Sequence, residues 1–141
     1  FSKYIIANGK PTVVSETAYA FRLSEVYLLK AEAITRSKGN MDDAKLILKQ
    51  MMQHAGVTDR NYVDLISSYD GLELEVFYEL SRNLVGEDGQ EWMALLRFPL
   101  ATVKTLKPTI SHMTQYILPI PAHEFLTNPT IGDQNPGYNK N

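Results

Sequence analysis

The stretch from Phe21 to Gly56 constrains the fold most, because its pattern predicts two helices joined by a tight turn. Apolar residues recur along each half at three- and four-residue steps, which is the spacing of a buried helical face. The first helix is predicted from about Arg22 to Lys38, with Gly39 ending it and Asn40 capping the second. The predicted buried faces contain Leu23, Val26, Tyr27, Ala31, Ala33 and Ile34 on the first helix, and Ala44, Ile47, Leu48, Met51 and Ala55 on the second.

Small residues in this hairpin favour close approach of the two backbones. Ala31, Ala33 and Ala44 are of the kind that lets helix pairs stack into layers, as in tetratricopeptide repeats. A single hairpin cannot bury both of its sides, so further helices are expected against it. The predicted fold class is therefore all-α, with a tetratricopeptide-like hairpin and additional helices.

Two more helices are predicted downstream of the hairpin, with a helical turn before them at Val63 to Ile66. A third helix is expected from Asp70 to about Val85, with Asp70 and Glu73 at the spacing of a capping box. Trp92 marks a short fourth helix that closes before Pro99. The apolar face of the third helix consists of Leu72, Val76, Phe77, Leu80 and Leu84.

The remaining stretches carry weaker signals. Asn8-Gly9 between Tyr4–Ala7 and Thr12–Val14 predicts a short β-hairpin, which Pro11 restricts to an edge, or else an irregular lead-in. Residues 100–115 are weakly specified, and residues 116–121 are extended because prolines disfavour helix in the residues before them. Pro121 suits a helix start, so residues 122–126 are expected to form one turn before an irregular tail.

Composition excludes several functional classes. The 141 residues carry a net charge of −2 with dispersed lysines and arginines, which disfavours nucleic acid as a partner. The chain has no cysteine, which excludes disulfides, thiolate metal sites and a cysteine nucleophile. No apolar run is long enough to span a bilayer. Because the chain begins at Phe1 without an initiator methionine or leader, it is interpreted as an excised piece.

Two acids on the first predicted helix, Glu25 and Glu32, are candidates for a glycosidase pair. They lie seven residues apart, about 10 Å along the axis, near the carboxyl separation of inverting enzymes. However, Arg22 and Arg36 stand at pairing distance from them, which would lower the pKa of each carboxyl, the wrong direction for a general acid. Structural ion pairing is the preferred interpretation.

No metal or cofactor site is predicted. Glu87, Asp88 and Glu91 cluster near the Trp92 helix, but their spacing matches no calcium loop, and acids at a helix start already have a structural role. The three histidines lack zinc-ligand spacing, and no serine stands in a nucleophile elbow. Aromatic side chains are the groups on which a sugar could stack. The weak ligand-binding candidates are therefore Trp92, which core packing explains better, and Tyr62, Tyr69, Tyr116 and Tyr138.

Five motifs in fixed order resemble the C-terminal part of the SusD/RagB family. They are RLSEVYLLKAEA (22–33), HAG (54–56), GQEWMALLR (89–97), YILPIPAHEF (116–125) and NPTIGDQNPGY (128–138). Glu91 and Ala94 depart from the arginine and aspartate that the family usually has around the tryptophan, and Glu87-Asp88-Gly89 carries an apparent extra residue. The whole chain, 1–141, is accordingly expected to be a single domain from the C-terminal part of a SusD-like protein.

The resemblance implies a function as well as a fold. SusD-like proteins of Bacteroidetes are surface lipoproteins of the outer membrane that bind oligosaccharides or other nutrients and cap a SusC-like TonB-dependent transporter in polysaccharide utilisation. The resemblance implies no catalysis and no cofactor. The partners that it implies are the nutrient, the transporter and the rest of the parent chain. Two other classes stay open: a helical-repeat scaffold that binds protein, and a glycoside-processing enzyme.

Overall fold

The computed structural model describes residues 6–7, 10–11, 21–86, 89–128 and 130–139. The described chain is essentially all-α, which confirms the predicted fold class. Its helices are α1 (Leu23–Arg36), α2 (Met41–His54), α3 (Tyr69–Asn83), α4 (Gln90–Leu95), α5 (Leu100–Leu106) and α6 (Ala122–Thr127). Two 3-10 turns (Asn61–Leu65 and Met113–Tyr116) and two short strands, β1 (Ile6–Ala7) and β2 (Lys10–Pro11), complete it.

The α1–α2 hairpin forms as the sequence predicts. Asn40 caps α2 by accepting a 3.0 Å hydrogen bond from the Asp42 amide. At the end of α1, the left-handed conformation belongs to Lys38, with φ of 54°, and not to the glycine beside it. Gly39 instead allows the chain to pass close to Ile34, because a Cβ at this position would lie 3.3 Å from Ile34 Cγ2. The Gly39 amide donates to the Ile34 carbonyl at 2.9 Å.

The buried face predicted for α1 is largely wrong. Leu23, Val26, Tyr27 and Ala33 are exposed, whereas the prediction is confirmed for Ala31, which is buried, and for Ile34, which packs partly buried against the core. Leu28, which is not predicted, is fully buried where α1 packs on α2 and α3. The helix carries two apolar stripes, and the inner one is interrupted by buried polar residues that hide its periodicity. These buried polar residues are Glu25, Glu32 and Thr35.

The faces of α2 and α3 agree better with prediction. On α2, Ala44, Ile47, Leu48 and Met51 are buried, but Ala55 is exposed and Met52 takes its place in the core. The predicted α3 residues Leu72, Val76, Leu80 and Leu84 are buried, and Phe77 packs against them partly exposed. Together with Leu28, Ala31, Val63 and Ala94 these side chains form the first hydrophobic core.

The capping box predicted at Asp70 and Glu73 is not the cap of α3. The helix begins one residue earlier, at Tyr69, and Ser68 Oγ accepts the Gly71 amide hydrogen at 3.1 Å. The Glu73 side chain is engaged elsewhere, since Arg36 Nη2 lies 2.6 Å from its Oε1. The earlier start explains the error, because it moves the cap position to serine.

A second, smaller core lies beyond α3. Leu95, Phe98, Val103 and Ile110 are buried together, and Trp92 and Tyr116 pack against them. The short helix at Trp92 and the turns at residues 63–66 and 122–126 are confirmed within a residue or two. Helix α5, which follows Pro99, was not predicted, because seven residues are too few to show a clear period.

The C-terminal part is held by amide side chains that bond the backbone. Gln115 Oε1 accepts from the amides of Ser111 (2.7 Å) and His112 (3.0 Å). Gln134 bonds both backbone groups of Ile120, receiving its amide hydrogen at 2.7 Å and donating to its carbonyl at 2.8 Å. Asn135 Nδ2 donates to the Leu118 carbonyl at 2.7 Å, so side chains of the tail hold the backbone at residues 118 and 120.

The predicted N-terminal hairpin exists as a two-residue antiparallel ladder, in which Ile6 faces Pro11 and Ala7 faces Lys10. Tyr4, the Asn8-Gly9 dipeptide and Thr12–Val14 lie outside the described residues. Among the described helices, none has the length and apolar character needed to cross a membrane.

Candidate functional site

A surface cavity of about 500 Å³ opens between the end of α1, the first turns of α3 and the α4–α5 connection. Its volume falls within the range of small-molecule sites. The lining combines charged, hydroxyl and apolar groups: Arg36, Asp70, Gly71, Glu73, Leu74, Phe98, Pro99 and Thr102.

Arg36 is the residue that organises this cavity. Its Nε donates to Glu32 Oε1 at 2.8 Å, its Nη1 to the Arg97 carbonyl at 3.1 Å, and its Nη2 lies 2.6 Å from Glu73 Oε1. All three guanidinium nitrogens are thus engaged, which joins α1 to α3 and to the end of α4. The planar fork of arginine makes this geometry possible.

A second arginine completes the network behind the cavity. Arg97 donates from Nε to Glu32 Oε1 at 2.7 Å and from Nη2 to Glu32 Oε2 at 2.6 Å, a bidentate pair across 65 residues of sequence. Arg36 and Arg97 therefore share one carboxylate. Hydrogen bonding to Glu32 raises the pKa of Arg97 further.

The two acids of this network are shifted in opposite directions. Burial alone would raise the pKa of Glu32, but the hydrogen bonds and charges of Arg97 and Arg36 outweigh it and the pKa is lowered. The pKa of Glu73 is raised, mainly by burial, with the nearby Glu32 and Asp70 charges adding to it and Arg36 opposing it. Glu32 is thus a fixed anion, whereas Glu73 is the more easily protonated acid of the cavity.

The apolar wall of the cavity is rigid. Phe98 is only 9% exposed, and its ring meets Phe77 edge-on at 5.3 Å between centroids and 77° between planes. The Arg36 guanidinium lies 5.5 Å from the centroid of the same ring. Phe98 is therefore held by contacts with Phe77 and Arg36 where it lines the cavity.

The five aromatic candidates from the sequence do not converge on one site. Tyr69 lies closest to the cavity in sequence, but its hydroxyl donates to the carbonyls of Gly39 (2.8 Å) and Lys38 (3.1 Å), which ties α3 to the α1–α2 turn. Tyr62 donates to Glu75 Oε1 at 2.8 Å. Burial and this hydrogen bond raise the pKa of Tyr62 to about 12.

The other three candidates lie around the second core. Trp92 and Tyr116 pack against it, and Lys107 Nζ lies 5.3 Å from the Trp92 ring centroid. The Tyr138 hydroxyl is 3.4 Å from the Gln115 carbonyl. These contacts show structural roles, and ligand contact by any of the five stays a prediction.

Both members of the carboxylate pair considered for glycoside chemistry are buried. Glu32 is bound by two arginines, and the lowered pKa predicted for it is confirmed. Glu25 is 5% exposed. Of the acids considered for calcium, Glu87 and Asp88 lie outside the described residues, and in the part of the chain that the structure describes no group of three or more acids and histidines could hold a metal.

The cavity residues were not predicted as a site. The sequence assigns Asp70 and Glu73 to a helix cap and Phe98 to the end of the Trp92 helix, and Thr102 lies in the weakly specified stretch 100–115. Their meeting depends on how α5 packs beside α3, and no local pattern records that. The only usable signal was Arg36 on α1, which the sequence pairs with Glu32.

The comparisons with known proteins gave one match. A sequence model described as the SusD family matches residues 2–112. The searches of curated proteins and of solved structures found no match.

Proposed function

The chain belongs to the SusD family, and on that premise we propose that it is a nutrient-binding component of an outer-membrane uptake system. It captures an oligosaccharide outside the cell and passes it, uncleaved, to a SusC-like TonB-dependent transporter. The observation that carries this proposal is the family match over residues 2–112, supported by the all-α hairpin fold. The lipoprotein anchor and the assignment of residues 1–141 to one domain of a longer chain belong to the same proposal.

Binding without cleavage tests the first half of the proposal. Titration calorimetry with neutral oligosaccharides of starch, xylan and mannan should show saturable binding of at least one of them by the full-length parent protein. Chromatography after prolonged incubation should recover the oligosaccharide intact. Binding of none of the three would contradict the proposal, and the release of shorter sugars would contradict its non-catalytic part.

The transporter partnership needs a separate experiment. A tagged parent protein expressed in its own host should co-purify with a TonB-dependent barrel from detergent-solubilised outer membranes. A gene for such a transporter directly beside the parent gene is the expected genomic arrangement. Recovery of the tagged protein from the cytoplasmic fraction without a barrel would contradict both the partner and the location.

A helical-repeat scaffold that binds protein is the second candidate, and one feature favours it. The outer stripe of α1 exposes Leu23 (72%), Val26 (52%) and Tyr27 (39%) to solvent. A contiguous apolar surface of this kind promotes association. Sedimentation of the purified chain should show self-association that a Leu23→Ser/Val26→Ser variant reduces, whereas Leu126→Ser, also at an exposed leucine, does not. A monomeric wild-type chain would contradict this expectation.

A glycoside-processing enzyme receives the least support. The Glu32 carboxylate is bound by Arg36 and Arg97 and its pKa is lowered, so it is unsuited to donate a proton. The incubation experiment above would expose such activity directly.

A further inference from the structure

The cavity beside Arg36 is lined by both apolar and acidic groups. Leu74, Phe98 and Pro99 supply carbon surface, and Asp70 and Glu73 supply carboxyl groups at the first turns of α3. Thr102 on α5 adds a hydroxyl that can donate or accept. A ligand that fits must therefore offer both a C–H surface and polar groups.

Several hydrogen-bond donors around the cavity already bond to other groups of the protein. Arg36 directs its three nitrogens at Glu32, Glu73 and the Arg97 carbonyl. Two amides of the α3 first turn are also satisfied, because Gly71 donates to Ser68 Oγ and Leu72 to the Ser68 carbonyl at 3.0 Å. The lining also offers acceptors to a ligand: the exposed Asp70 carboxylate and the second oxygen of Glu73.

Two ligand classes fit this lining poorly. An anion would face two carboxyl groups and a guanidinium whose charge is already shared between Glu32 and Glu73. A purely apolar ligand would strip water from the acids without replacing its hydrogen bonds. A ligand rich in hydroxyl donors avoids both penalties.

We propose that this cavity is a binding site for a neutral saccharide unit, whose hydroxyls donate to Asp70 and Glu73 and whose C–H face lies against Leu74 and Pro99. The proposal rests on the function proposed above and gives it a site within this chain. None of the aromatic candidates is required, since Phe98 and its aliphatic neighbours provide the apolar contact.

The decisive variants are chosen in matched pairs. Asp70 and Asp43 are both exposed acids in the first turn of a helix, but only Asp70 lines the cavity. Asp70→Asn should weaken the binding of the best oligosaccharide in the calorimetric set about tenfold, as expected for a lost charge-assisted hydrogen bond. Asp43→Asn should bind as the wild type does, and the two variants should unfold at similar temperatures.

A second pair of variants tests whether the open volume of the cavity is needed for binding. Thr102 and Thr105 lie three residues apart on α5, and only Thr102 lines the cavity. Thr102→Phe should fill the cavity and reduce binding by more than tenfold, whereas Thr105→Phe should leave it unchanged. Circular dichroism and thermal unfolding of both variants verify that the helices are retained.

The outcomes separate this inference from the proposed function. One outcome is that the wild type binds an oligosaccharide and that the folded variants Asp70→Asn and Thr102→Phe bind it equally well. The cavity is then not the binding site, although the proposed function stands. If the wild type binds none of the oligosaccharides, both are overturned. The acidic lining also predicts that oligomers of uronic acids bind at least tenfold more weakly than their neutral counterparts, and equal or tighter binding would overturn the assignment of Asp70 and Glu73 as acceptors.

Discussion

The region of helices α1 to α3 and the C-terminal part from residue 107 are held together in different ways. In the first, regular helices bury an apolar core that includes Leu28, Leu48 and Leu72, each 0% exposed. In the second, Gln115, Gln134 and Asn135 bond directly to the backbone, and its only described helix of α type has six residues. One region is stabilised by area removed from water and the other by the satisfaction of individual backbone groups.

This difference separates the interactions that stabilise the fold from those that fix the conformation of individual backbone segments. Apolar burial is non-directional and tolerates some change in the side chains, whereas each side-chain amide fixes one stretch of backbone in one conformation. The network of Glu32, Arg36 and Arg97 lies between the two regimes, because it joins α1 to the end of α4 by directional bonds close to the core. Mutations should therefore have global effects in the first region and local effects in the second.

The largest effect is expected in the α1–α3 core. Leu48→Ala removes a fully buried side chain and should lower the free energy of unfolding by about 3 kcal/mol, from lost burial and the cavity left behind. Leu46, on the same helix, is 54% exposed, and Leu46→Ala should change stability by less than about 0.5 kcal/mol. Urea unfolding of both variants measures the contrast. Similar losses would mean that α2 is not packed as described.

The next effect tests the network between the regions. Glu32→Gln leaves two arginines without their shared carboxylate and should cost about 2 kcal/mol, less than for a fully buried pair because the arginine side chains are 34% and 38% exposed. Glu124→Gln, at an exposed acid on α6, is the control and should be neutral within about 0.5 kcal/mol.

The same variant carries a pH signature. The pKa of Glu32 is lowered in the fold. The ionised Glu32 therefore contributes to the free energy of unfolding above the ordinary pKa of 4.5, and this contribution is lost as the pH falls through the lowered pKa. The stability difference between wild type and Glu32→Gln should therefore shrink below about pH 4.5. Glu73, whose pKa is raised, has the opposite pH dependence. Its contribution to stability is complete below pH 4.5 and is lost as the pH rises through the raised pKa. A difference that stays constant down to pH 2 would contradict the ion pairing of Glu32.

A smaller and local effect is expected at Gln134. Gln134→Ala removes both hydrogen bonds to the Ile120 backbone and should cost about 1.5 kcal/mol. Hydrogen exchange should accelerate at the Ile120 amide and leave the amides of α2 unchanged. Gln53→Ala, at an exposed position of α2, is the control. Faster exchange throughout α1 to α3 would show that the two regions unfold as one unit.

The smallest effect concerns the cap of α2. Asn40→Ala removes the acceptor for the Asp42 amide and should destabilise the chain by about 1 kcal/mol. Asn40→Asp keeps an acceptor at the same place and should retain most of the stability. Thermal unfolding of the two variants distinguishes a role of the side chain from a general intolerance of substitution.

The contrast between the regions also explains what the sequence could predict. The ends of α1 and α2 and the buried face of α3 follow from period and capping residues, which are local signals. The inner stripe of α1 was missed because Glu25, Glu32 and Thr35 interrupt it, and their burial depends on partners up to 65 residues away. Helix α5 is not predicted because its seven residues are too few to show a clear period.

Less of the candidate site than of the fold could be predicted from the sequence. Its acids were visible in the sequence, but Asp70 and Glu73 were assigned to a helix cap that Ser68 provides. A cavity exists only once α1, α3 and α5 are placed side by side, and Arg36 takes part through bonds to three different segments. The aromatic residues that chemistry favours for sugar binding are each committed to other contacts.

The left-handed residue at the end of α1 implies that this hairpin has not reached its optimum. Lys38 has a Cβ where the backbone, at φ of 54°, would suit glycine, and a Cβ on the glycine that follows would meet Ile34 Cγ2 at a tight 3.3 Å. Replacing Lys38 by glycine should remove about 1 kcal/mol of strain, so a more thermostable chain lies one substitution away.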